Sequence, residues 1–367
     1  MNSLDIALTG WETVAPSGIG AALFPGDAAD ASAIRPADFT EGEYPPDLDY
    51  RFAPYEAREF LGMKGTRTMD RTTALAVGTA KLLVGARPFG DDERERTGFV
   101  LGTSTGSIRS TADFTRETFV QERPFLVNPA LFPNTVMNCA AGQCAIWFKA
   151  RGINATIAGG RLSGFMSLQY AAMMLRRRYV DLLYAGAVEE LCPQTAHAHA
   201  ILTASGQRAV APQGEGCAMF ALERGADVRA RGDDCATTLY ALQCRRYFDE
   251  ADLGTPAALE GVKQCIRDLQ DGFKFGRDDI GFVSIGATSD AAMHQLEREA
   301  AEAVFGASRP VLVDVTAQVG ETYSAAFSFK LAGLLAHPQF RSGGRSAFGL
   351  VLSATREGYV AAALVRR

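Results

Sequence analysis

Ile153-Asn154-Ala155-Thr156-Ile157-Ala158-Gly159-Gly160-Arg161-Leu162-Ser163-Gly164-Phe165 is the stretch that decides the fold. A run with β-branched residues meets two glycines and then a helical pattern. Phe165, Leu168, Ala172 and Leu175 fall at helical spacing, which predicts a helix over 163–178. A strand that turns sharply into a helix presents one side chain at the helix N-terminus, where backbone N–H groups and the helix dipole favour an anion. Nucleophile elbows are built this way. Here the elbow residue is Arg161, whose guanidinium stays protonated and cannot attack anything. The stretch reads as an active site without its active residue.

Composition narrows the classes around it. With 367 residues, 47% apolar and 22% charged, the chain has the make-up of a globular protein with a large core. A net charge of −5 gives no reason to expect a nucleic-acid surface. No apolar run reaches the ~18 residues of a membrane span, and Met1-Asn2-Ser3-Leu4-Asp5 lacks the basic start of a signal peptide. Seven cysteines without CxxC spacing read as reduced thiols of a cytoplasmic protein. Four histidines are few for metal or proton-transfer chemistry; no metal and no cofactor are expected. His197 and His199, two apart, read as exposed or half-buried.

Walking outward from the elbow, the chain alternates strands and helices. Leu4–Thr9 opens as a strand, and residues 21–50, with Tyr44-Pro45-Pro46, read as surface loop. A helix is predicted over 65–86, with Asp70-Arg71 as a structural ion pair. Strand Thr97–Gly102 runs into a small-residue turn, and helices follow over 108–122 and 135–150. A buried strand Val180–Glu190 ends at a glycine turn. The second part repeats the logic: strands over 237–242, 280–285, 310–315, 346–353 and 359–365, with helices over 255–271, 291–305 and 323–336. Two similar α/β halves, 1–223 and 224–367, are inferred, each a mixed sheet between helix layers.

These segments resemble the β-ketoacyl synthases of the thiolase fold over nearly the whole chain. In that family a cysteine opens the elbow, followed by a small residue, Ser and Gly; here Arg161 precedes Leu162-Ser163-Gly164. The resemblance implies an α/β thiolase fold in an αβαβα layered arrangement. It also implies two catalytic histidines and a lysine, and these are replaced. Gly286 of Gly286-Ala287-Thr288-Ser289-Asp290 stands at the first histidine. In Thr316-Ala317-Gln318-Val319-Gly320-Glu321, Thr316 stands at the lysine and Glu321 at the second histidine. Claisen condensation needs a thiolate to carry the acyl chain and donors for the developing oxyanion. Arg161 is no nucleophile, Gly286 has no side chain, and Glu321 brings the wrong charge beside a developing anion. Cys139 and Cys144 precede the elbow, but they read as inert buried thiols.

A thiolase-type chain without its catalytic set resembles the chain length factors of type II polyketide synthases. Asn138-Cys139-Ala140-Ala141-Gly142-Gln143 is similar to their "NTGQ" helix start, and Gly186–Pro193 to their "GAMDSSLCP" strand end. Their elbow usually carries glutamine, so Arg161 is a departure, and this chain is shorter. The resemblance implies a heterodimer with a catalytic ketosynthase, joined along the elbow strands through Asn154, Thr156, Ala158 and Arg161. It implies a carrier-protein-bound chain growing into an interface tunnel, in a polyketide or polyene pathway. Ser110, Thr111, Phe114 and Thr118, close to one helix face, are expected to floor that tunnel. Arg161 and Glu321 are expected to form a salt bridge filling the former substrate cavity. Three alternatives stay open: a decarboxylase of carrier-bound malonate, an acyltransferase acting through Ser163 (otherwise a helix N-cap), and a homodimeric scaffold without catalysis.

Overall fold

A computed structural model describes residues 3–24, 35, 36, 39–204, 212–233, 237–343, 346 and 348–367. Ten main strands carry the fold. They are β1 (Ile6–Ala15), β2 (Thr97–Gly102), β3 (Asn154–Ile157), β4 (Leu182–Glu189), β5 (Gly216–Arg224), β6 (Thr238–Arg246), β7 (Ile280–Ile285), β8 (Val311–Asp314), β9 (Phe348–Ala354) and β10 (Tyr359–Arg366). Their order is β8-β7-β9-β10-β6-β1-β5-β4-β2-β3, read outward from the middle as the same sequence of strands twice. β2 pairs in parallel with β3 and β4, as β7 does with β8 and β9. The two sets meet where β1 pairs antiparallel with β6, Ile6 opposite Leu239.

Period-two burial then builds three cores. Along β5, Ala218, Phe220 and Leu222 face a central core, while Cys217, Met219 and Ala221 face an outer one. Along β10, Ala361, Ala363 and Val365 face the central core, and Val360, Ala362 and Leu364 a second outer one. Sheets buried on both faces need near-continuous apolar strands, and these sequences supply them. The central layer holds helix α4 (Ser163–Arg176) and helix α8 (Ala326–Ala336), all of whose residues are buried. Phe165 meets Phe327 edge-on with ring centroids 5.2 Å apart. The outer layers hold α1 (Arg71–Ala86) and α3 (Cys139–Phe148) on one side, and α6 (Pro256–Phe273) and α7 (Ala291–Phe305) on the other. Helix α2 (Ile108–Val120) and helix α5 (Pro193–Ala204) lie between these in the chain. The result is the expected αβαβα order.

Several local expectations need correction. Asp70 and Arg71 are not an ion pair. Asp70 is the N-cap of α1, accepting from Thr73 N at 2.7 Å, and its capping is why the helix starts at 71 rather than 65. Arg71 instead pairs with buried Glu215 and donates to Ala53 O and Tyr55 O. Residues 21–50 are not simply a surface loop, because Tyr44 and Tyr50 are buried with Phe52 in an aromatic cluster; residues 25–34, 37 and 38 lie outside the described residues. His199 is fully buried, whereas His197 is exposed and bonds Glu43 O at 3.0 Å. Gly214–Glu223, which resembles the family's hairpin, is not one here: Gln213–Gly214 pairs in parallel with Tyr50–Arg51, and β5 runs unbroken between β1 and β4.

Candidate functional site

The elbow forms as the sequence predicts. Gly160 adopts φ +60, a left-handed value open to glycine, and a single 3-10 turn over Gly160–Leu162 leads into α4. Ser163 locks this turn from within. Its Oγ accepts from Gly159 N at 2.9 Å and donates toward Gly160 O and Thr103 O. It is the first helical residue, not the N-cap, and it is wholly buried. A hydroxyl so held has no route to an acyl group.

Arg161 turns inward from the elbow, across to the corresponding turn of the second half. Its Nη2 lies 2.6 Å from Glu321 Oε2. The side chains are 15% and 0% exposed, so this is a nearly desolvated pair. The contact is one-pronged rather than a bidentate fork, because Nη1 is aimed at Ala287 O, 3.5 Å away. The Tyr323 ring lies 5.7 Å from the guanidinium carbon. Glu321 also accepts from Ser289 N and Ser289 Oγ, both at 2.9 Å, and from Tyr323 N at 3.0 Å. Burial pushes its carboxyl up, but the Arg161 charge and these donors win and hold it at about 2. Burial opposes the Arg161 charge too, and Glu321 more than restores it. The pair does not fill all the space: a cleft of about 500 Å³ remains beside it, lined by Gly160, Arg161, Met166, Tyr323, Arg356 and Tyr359 among others.

The other two altered positions are refilled as well. Gly286 has φ +96, and a Cβ placed there would stand 2.4 Å from both Asp314 Oδ1 and Thr316 Oγ1. Thr316 N and Oγ1 donate to Asp314 Oδ1 at 3.0 and 2.7 Å, and Thr316 Oγ1 accepts from Ala287 N at 3.0 Å. Where the resemblance implies an imidazole and an ammonium, a closed turn stands. Behind it lies an ion pair that sequence reading missed. Lys330 Nζ is 2.9 Å from both Glu297 oxygens, and Glu297 also accepts from Gly286 N and Ala354 N. A lysine inside the apolar run of α8, and a glutamate at a buried helical position of α7, were the available signals.

Neither Cys139 nor Cys144 is placed or activated to replace the elbow cysteine. Cys144 is buried, and burial raises its pKa well above the ordinary range; Cys139, half-buried, is raised too, chiefly by burial. The remaining site positions lie on another face. Ser110, Thr111, Phe114 and Thr118 sit half-buried on α2, with Phe114 against Phe132 at 5.8 Å between ring centroids. Asn154 and Ala158 are exposed at the free edge strand β3, Thr156 is half-buried there, and Arg161 points away from that edge into the chain. Exposed Phe119, Val120, Phe125, Leu126, Phe132, Val136, Met137 and Ile146, the last 70% exposed, fall on α2, on α3 and on the segment between them.

An elbow with these two facing turns, in two repeated α/β halves, defines a thiolase-type acyl-condensing scaffold. Residues 11–228 match the β-ketoacyl synthase N-terminal domain, and the chain belongs to the β-ketoacyl synthase family. It is similar to the solved ishigamide ketosynthase/chain length factor, at 30% identity and a TM-score of 0.84, with 99% of each chain covered. It is also similar to 3-oxoacyl-(acyl-carrier-protein) synthase 2 of Rhizobium meliloti (strain 1021), 24% identical over 358 residues that cover 88% of this chain and 83% of that one. A type II polyketide ketosynthase, solved in complex with its acyl-carrier protein and bound to the hexaketide, shares the fold at 17% identity. Its TM-score is 0.74, with 98% of each chain covered.

Proposed function

We propose that this protein is a chain length factor. It is a ketosynthase-like subunit without condensing activity of its own, paired with a catalytic ketosynthase, and it shapes the interface tunnel that sets the length of a polyketide or polyene chain. The observation that carries the reading is the Arg161–Glu321 pair at the elbow, 2.6 Å apart and nearly buried. A guanidinium cannot become an acyl thioester, and a carboxylate held at about 2 donates no proton at neutral pH. The same carboxylate would oppose the enolate that a malonyl decarboxylase must stabilise.

Partner binding is supported by the free edge of β3 and by exposed apolar side chains. A sheet edge left open is a template for another strand, and the exposed large apolar side chains of α2, α3 and the segment between them favour an interaction surface. The carrier protein is assigned mainly to the partner, which would hold the thioester. The similarity to a ketosynthase/chain length factor structure supports the same assembly.

Co-expression with a ketosynthase that keeps its cysteine and histidines tests the proposal. The expected outcome is a stable one-to-one complex that makes products of defined length, and a chain that alone elongates no carrier-bound acyl group. Condensation by the isolated chain, or a homodimer that ignores the ketosynthase, would overturn it.

A further inference from the structure

Helix α2 is fastened to the body at its beginning. None of its 13 residues is buried, yet its first turn is tied inward to one carboxylate. Ser107, the N-cap, accepts from Ser110 N at 3.3 Å, and its own hydroxyl reaches the two Glu190 oxygens at 3.3 and 3.4 Å. Arg109 N donates to Glu190 Oε1 at 3.1 Å. Glu190 is 3% exposed. It supplies the acceptor that the orphan N–H groups of a helix start require.

The rest of its surroundings is acidic. Asp70, the N-cap of α1, directs its charge at Glu190, and Asp70 Oδ2 is buried without a hydrogen-bond partner. Glu189, next in the chain, is buried and accepts from Ser104 N and Oγ at 3.1 and 2.7 Å and from Ser324 Oγ. Glu215 accepts from Leu191 N at 3.3 Å and takes the charge of Arg71. Arg109 sends its side chain toward Glu43 and Asp113, 3.6 and 3.9 Å away. The Cys192 thiol, neutral at ordinary pH, completes the ring.

We propose that Glu190 is a proton-operated anchor of α2: as a neutral acid it stays buried against the first turn, and as a carboxylate it moves toward water and releases that end of the helix. Burial, and then the Asp70 charge, push Glu190 up to about 7, and burial raises Asp70 as well. In the released state Glu190 titrates near its ordinary 4.5. Between those values the anchored state binds more protons. Anchoring therefore weakens about tenfold per pH unit as pH rises from about 5 to 7, and levels off above. The consequence for partner and tunnel rests on the proposed chain-length role, since α2 carries both faces; the anchor itself does not.

Hydrogen exchange of the full-length chain tests it, followed on the peptide spanning Ile108–Val120 from pH 5 to 8, with rates corrected for their intrinsic pH dependence. Protection should fall about 40-fold between pH 5 and 7 and then level off. Glu190→Gln should remove the fall, and Asp70→Asn, which keeps a capping side chain, should move it to lower pH. A fall that persists unchanged in Glu190→Gln, an unshifted fall in Asp70→Asn, or protection independent of pH in the native chain would overturn the anchor. Absence of a ketosynthase complex would instead count against the chain-length role and leave the exchange result standing.

Discussion

Arg161 and Glu321 arrive at one point from turns 160 residues apart, and neither charge is tolerable there without the other. Removing Arg161 alone, as Arg161→Met, leaves a fully buried carboxylate with only neutral donors and should destabilise the fold by ~3 kcal/mol. Adding Glu321→Leu should recover most of the loss. The four stabilities of that cycle, from denaturant titration, give the coupling; additive effects would mean the pair does not act as one unit. The pH dependence has a fixed sign. Because the folded carboxyl titrates at about 2 and the unfolded one near 4.5, its stabilisation is complete above about 4.5 and is lost as pH falls toward 2. Acid unfolding of the Arg161→Met, Glu321→Leu chain should therefore be less steep across that window. The opposite charges at matched positions were legible in the sequence; the one-pronged geometry was not, since it depends on Ala287 O and Tyr323 around the guanidinium.

At the scale of elements, β3 and α2 carry the partner argument. Ile153 O and Ile157 O accept from Phe99 N and Thr103 N of the neighbouring strand segment, so alternation turns the backbone groups of Asn154 and Thr156 outward. Thr156→Pro would remove an outward N–H without touching the inner ladder. The expected result is a chain with unchanged folding and no heterodimer, read by circular dichroism and by co-purification; retention of the complex would show that the edge is not used. On α2, Phe114 rests on exposed Phe132. Its half-buried site sets the cost of Phe114→Ala at about 1–2 kcal/mol, less than for a core phenylalanine. If this ring pair floors the tunnel, the substitution lengthens the product made by the complex, as mass spectrometry would read. An unchanged product distribution would make the pair interface packing only. Helical spacing was enough to place Ser110, Thr111, Phe114 and Thr118 on one helix. It could not show that no residue of α2 is fully buried, because that depends on what the rest of the chain leaves uncovered.

At the scale of the molecule, the repeat of strand, helix and glycine turn was readable because each half obeys the same period-two and helical patterns. Leu350, Leu352 and Ala354 on one face of β9, with Val351 on the other, show the alternation plainly. What sequence alone could not supply was the pairing of charges over long separations. Lys330 with Glu297, and Arg71 with Glu215, join residues 33 and 144 apart, and nothing local marks them as partners. Asp70-Arg71 was misread for the same reason: adjacency in sequence suggested an ion pair, while capping and a distant glutamate claimed the two side chains. The exposed apolar surface has a whole-molecule consequence too. The heterodimer interface proposed above should bury more than ~2,000 Å², and scattering of the purified complex should report a single one-to-one species at nanomolar concentration, with the isolated chain aggregating.

Gly286 sets a limit on rebuilding the family's site in this chain. Its backbone sits at φ +96, and the room a side chain would need is taken by Asp314 and Thr316. Placing cysteine at 161 and histidine at 321 would leave a third position where an L side chain is strained by that φ and must displace Asp314 and Thr316. Moving either neighbour breaks the bonds that close this turn. On the proposed chain-length role, single substitutions at the elbow would leave this turn closed, and the condensing chemistry would fall to the partner for as long as it stays so.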